Sequence, residues 1–74
     1  MKDLDVVVLA QDLPEHGLQA GDLGTVVLTH GEGDGYEVEF MTLAGETIAV
    51  VTLLASQARP IGHQEIAHVR ALAS

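Results

Sequence analysis

The chain has no cysteine. That removes disulfides, cysteine-based zinc sites and thiol catalysis together, so a protein this small must hold itself by packing or by self-association. Basic residues are almost as scarce: Lys2, Arg59 and Arg70 stand against eleven acids, for a formal charge of −8. From Asp3 to Glu46 there is no Lys or Arg at all. Nucleic-acid affinity comes largely from neutralised phosphates, and this chain has little to neutralise them with, so direct DNA or RNA binding is excluded as an expectation. A field of this sign favours a basic protein or a cation as partner, and equally keeps a small apolar-rich chain in solution. No apolar run reaches the roughly 18 residues of a membrane span. The opening Met1-Lys2-Asp3-Leu4-Asp5 places two acids where a secretory signal carries basic charge, which predicts a cytoplasmic protein.

The 74 residues, 47 % of them hydrophobic, fit a single domain. A chain of this size buries only about 60 % of its unfolded surface, so nearly every apolar residue is needed for the fold. Asp5–Leu9 is a β-branched run of strand length, and Thr25–Thr29 is a second. Between them Gln11–Ala20 reads as a long ordered loop, broken by Pro14 and Gly17, with Leu13 and Leu18 tucked under a barrel and Glu15 and His16 at the tip. Gly21-Asp22-Leu23-Gly24 reads as a tight structural turn into the second strand, with Gly21, Asp22 and Gly24 as its defining residues.

His30–Gly35 is a hairpin connection containing Asp34-Gly35, and Tyr36–Phe40 alternates so that Tyr36, Val38 and Phe40 point inward and Glu37 and Glu39 outward. Leu43–Glu46 turns into Thr47–Leu53, whose near-continuous apolarity predicts a strand with one side against the tail or another subunit; Val51 and Leu53 are the candidate oligomer contacts. Leu54–Gln57 suits one helical turn, and Ala58–Ile61 a short strand that Pro60 confines to an edge. Five short strands of this spacing predict a mostly β domain, a small barrel over residues 1–61. Ile66, Val69 and Leu72 recur every three residues, which predicts a short helix in the 62–74 tail.

Asp12-Leu13-Pro14 with Gly17-Leu18, Gly21-Asp22-x-Gly24-Thr25-Val26-Val27, Val38-Glu39-Phe40, Val51-Thr52-Leu53 and Arg59-Pro60 occur in an order that resembles a bacterial family catalogued as domain of unknown function 4926. The resemblance covers nearly the whole chain. It implies an SH3-like five-stranded barrel in a stand-alone small protein, often encoded beside another small gene in toxin–antitoxin-like pairs, and it supplies no catalytic residues. The Gly21–Val27 stretch is also similar to the turn and strand of KOW modules, but the basic residues such modules use on RNA are missing.

The four histidines, His16, His30, His63 and His68, do not have metal-ligand spacing, and Glu65-x-x-His68 lacks the matching ligands a di-metal site takes from further helices. Gly31–Gly35 has too few oxygen ligands for calcium and no following helix or lysine for phosphate. Ser56 and Ser74 stand in no nucleophile motif, so no enzyme, metal or cofactor is expected. What is left is an acidic patch of Glu32, Asp34, Glu37, Glu39 and Glu46 that would attract a basic protein, against the plain alternative of a solvated face. The readings open at this stage are a protein-binding module, antitoxin-like or accessory, a self-assembling subunit, and a small subunit of a larger enzyme.

Overall fold

A computed structural model of the chain describes residues 1–31 and 35–72. β-branched and aromatic side chains fit a pleated, half-buried surface, and they set all the regular structure except two single turns. The strands are β1 (Val6–Leu9), β2 (Leu23–His30), β3 (Gly35–Met41), β4 (Thr47–Leu53) and β5 (Ala58–Pro60), with 3₁₀ turns at Pro14–His16 and Ala55–Gln57. All neighbours are antiparallel, in one five-stranded sheet of order β4-β3-β2-β1-β5. The fold is therefore mostly β. No helix among the described residues is long and apolar enough to cross a membrane.

The alternation of β3 orders the molecule into two sides. Tyr36, Val38 and Phe40 face inward and join Val7, Leu9, Val26 and Leu53 in the core. The β1–β2 loop closes that core from below, because Leu13 and Leu18 bond each other's backbone and both bury their side chains. Gly21 takes a left-handed φ of +96° and donates its N–H to the Leu9 carbonyl, which brings the loop back to the sheet.

The ladders depart from the sequence reading in three places. β4 and β5 lie at opposite ends of the sheet with no ladder between them among the described residues, so the strands do not close into the expected barrel. Residues 61–72 contain no helix: the tail is instead positioned by Glu65 on Arg59 of β5 and by Arg70 on Asp22 at the end of the β1–β2 loop. Val51 and Leu53, expected at a subunit contact, are 9 % and 1 % exposed and belong to the chain's own core, because they share the inward side with Val38 and Tyr36 opposite them on β3.

The glycine turn also resolves differently. Leu23 and Gly24 are already in β2, opposite Val8 and Val7. Gly24 is required by a close approach: a Cβ there would lie 2.5 Å from Val38 Cγ1 and 2.9 Å from Phe40 Cε1.

Candidate acidic binding face

Residues opposite one another across a ladder share a side of the sheet. Glu37 faces Leu28 and Thr52, and Glu39 faces Thr25 and Val50, so the two carboxylates stand on the outer side, mid-sheet, with strands on both flanks. Each is held. Thr52 Oγ1 donates to Glu37 Oε2 at 2.6 Å, and His30 Nε2 donates to the same oxygen at 2.7 Å. Thr47 Oγ1 donates to Glu39 Oε2 at 2.5 Å. The Thr52 hydroxyl, and after it His30, holds the Glu37 carboxyl below its ordinary value. Ionised carboxylates fixed by neighbouring hydroxyls lose less side-chain freedom on meeting a cation than free glutamates do.

Around these two acids the outer side is apolar, with Val6, Leu23, Leu28, Met41 and Val50 all partly exposed. Glu46 lies apart, in the β3–β4 turn, where its N–H bonds Thr42 Oγ1. Glu32 and Asp34 lie outside the described residues. The structure thus brings Glu37 and Glu39 together on one face and leaves Glu46 in the turn beyond the strands.

The arginines are spent inside the molecule. Arg59 on β5 meets Glu65 in a two-pronged pair, Nη1 to Oε1 at 2.7 Å and Nη2 to Oε2 at 2.6 Å. Arg70 makes the same kind of pair with Asp22, Nε to Oδ1 at 2.8 Å and Nη2 to Oδ2 at 2.6 Å, and also donates to the Gly17 carbonyl. The tail is tied down at both pairs. The Arg59 guanidinium and the Gly62 N–H together hold the Glu65 carboxyl down at about 2, while Arg70 and the Gln19 N–H lower Asp22 against the opposing effect of partial burial. Asp22 is therefore more than a turn residue: it is the anchor of the tail. Nothing local in the sequence signals this, since 48 positions separate it from Arg70.

Beside the tail is an open groove of about 800 Å³, lined by Val8, Leu18, Phe40, Ile48 and the tail's own Ile66 and Val69 among others. Its ionisable lining residues are Asp22, Arg59, Glu65, His68 and Arg70, four of which are already paired with each other. Glu65, the acid of the Glu-x-x-His spacing, is committed to Arg59, and no group of three metal-ligating side chains occurs among the described residues.

Sheet, loop and face describe a small mostly β domain with a charged, laterally framed outer side. The model of the family described as Domain of unknown function (DUF4926) matches residues 3–60, and the chain belongs to that family. The match ends at β5, so the tail that carries Glu65 and Arg70 lies beyond it. No curated protein and no solved structure matches the chain.

Proposed function

We propose that this chain is a non-catalytic protein-binding module, SH3-like in build, whose acidic outer face engages a basic partner protein. In this reading it is the antitoxin-like or accessory member of a two-gene pair. The strand order, the long β1–β2 loop and the 3₁₀ turn entering β5 support the SH3-like description.

One observation carries the binding assignment. Both arginines are locked in internal pairs, leaving Lys2 as the cationic side chain without a carboxylate within ion-pair distance among the described residues. The excess of acids is thus turned outward, and Glu37 and Glu39 sit where apolar side chains surround them, the combination that gives a partner both steering charge and dry contact. A basic protein seated there would have its cationic surface masked, which is a sufficient mechanism of neutralisation for a basic toxin.

The test is capture of partners by the tagged protein from its native host, washed at rising salt, with the Glu37→Lys, Glu39→Lys double variant in parallel. The expected result is one basic protein near equal stoichiometry that leaves at high salt and is missing from the variant. Equal capture by the variant, with its circular dichroism unchanged, overturns the reading.

A further inference from the structure

The two ends of the sheet are finished differently. β5 is three residues long, ends in Pro60, and carries Arg59 tied to the tail through Glu65. These are the devices that blunt an edge against pairing. β4 has none of them over most of its length. It is seven residues long, Thr-Ile-Ala-Val-Val-Thr-Leu, without charge or proline, and its first residues alone are interrupted by the irregularity opposite Phe40 and Met41. From Ala49 to Leu53 the ladder to β3 is regular, and among the described residues the backbone of this stretch makes no hydrogen bond on its other side. An uncharged, unbroken edge is a template for another strand.

We infer that β4 pairs antiparallel with β4 of a second copy of this chain, joining two sheets across a two-fold axis. The strand is its own complement. With the axis at Val50, Val50 faces itself and Ala49 faces Val51; with the axis at Val51, Val50 faces Thr52 and Ala49 faces Leu53. In both, inward residues meet inward residues and outward meet outward, as the period of two demands. A strand from an unrelated basic protein would find no charge on β4 to pair with, whereas a second copy brings the same neutral edge. Glu37 and Glu39 stand one strand back, so the carboxylates of the two copies are about 14 Å apart, three strand spacings, and beyond the screening length of physiological salt. Because each copy uses its one open edge and β5 is blunted, pairing stops at two rather than growing into a fibre.

The absence of cysteine makes the test direct. Facing residues of an antiparallel pair have Cα atoms about 4.5 or 5.5 Å apart, within disulfide reach. Val50 is 53 % exposed, so Val50→Cys and Thr52→Cys leave the core intact. Under mild oxidation Val50→Cys linking to itself identifies the Val50 axis, and linking only when mixed with Thr52→Cys identifies the Val51 axis; either supports the pairing. Leu28→Cys, similarly exposed but two strands in from the edge, stays at 7.8 kDa. Sedimentation of the unaltered chain is expected to show mass rising from 7.8 kDa toward twice that with concentration, and rising further as salt is raised from low ionic strength to the physiological range, where the like charges become screened. A mass that stays at 7.8 kDa at about 1 mM, the weak end of specific association, overturns the inference, as does a dimer in which Val50 and Thr52 link no faster than Leu28. The acidic-face assignment is judged separately, since partner capture falls with salt while self-pairing strengthens.

Discussion

Gly24 and Thr52 show how much single residues contribute here. A methyl group at Gly24 would press on Val38 and Phe40, both wholly buried side chains with no room to retreat. Gly24→Ala is therefore expected to cost about 1 to 3 kcal/mol, as overpacking of a core does. In a domain of this size that lowers the melting temperature by roughly 4 to 8 °C per kcal/mol, readable by thermal circular dichroism. Thr52 acts on charge rather than shape. Replacing it with valine removes the larger of the two hydrogen bonds that hold the Glu37 carboxyl down, so that group should titrate at a higher pH, closer to its ordinary 4.5. A side-chain carbon NMR titration reads the shift, and an unmoved titration would mean that His30 alone sets it.

At the scale of elements, the strands and the β2–β3 hairpin were legible, and the pairing of β5 with β1 was not. β4 runs from Thr47 to Leu53 as its composition predicts, and the alternation of β3 correctly separates Glu37 and Glu39 from Tyr36, Val38 and Phe40. The start of β2 was obscured because two glycines three apart look like a turn, whereas Gly24 is a strand residue chosen for thinness. The continuous apolarity of β4 concealed which half of it is inside: Val51 and Leu53 are, and Val50 is not. The tail misleads in the same way. Its spacing of three suggests a helix, yet Ile66 is 95 % exposed and the segment is positioned by Arg59–Glu65 and Arg70–Asp22, contacts made to distant parts of the chain.

Those pairs make the tail's attachment sensitive to acid. A carboxyl whose folded-state pKa is depressed stabilises the folded arrangement above its ordinary pKa, and that contribution is lost as pH falls through the depressed value. For Glu65 the window runs from 4.5 down to about 2, and Asp22 loses its contribution below its own ordinary 3.8. Amide resonances of residues 62–72 should therefore stay dispersed at pH 5 and collapse toward random-coil positions as pH falls through that window, while those of β3 persist further. Arg70→Ala is expected to release residues 66–72 at neutral pH and leave the sheet's circular dichroism unchanged.

The whole molecule has a narrow margin. At 0.05 to 0.15 kcal/mol per residue, a chain of this length is stable by roughly 4 to 11 kcal/mol. Phe40 is the largest fully buried side chain and closes the core against Gly24. Phe40→Ala, at about 3 to 5 kcal/mol, is expected to take up much or all of that margin. Its urea midpoint should drop sharply or vanish, whereas Met41→Ala, on the exposed outer side next to it, should shift the midpoint little.

The burial of Tyr36 gives the protein a built-in optical probe. The chain has one tyrosine and no tryptophan, so its tyrosine band, at longer wavelength than the weaker absorption of Phe40, comes from a single ring, packed in the core at the start of β3 opposite Leu53. Any change in that signal reports on the β3–β4 hairpin, the part of the sheet that bears both the acidic face and the open edge. Unfolding, ligation and self-pairing can each be followed there without a label, provided concentration is measured by peptide-bond absorbance rather than at the aromatic band.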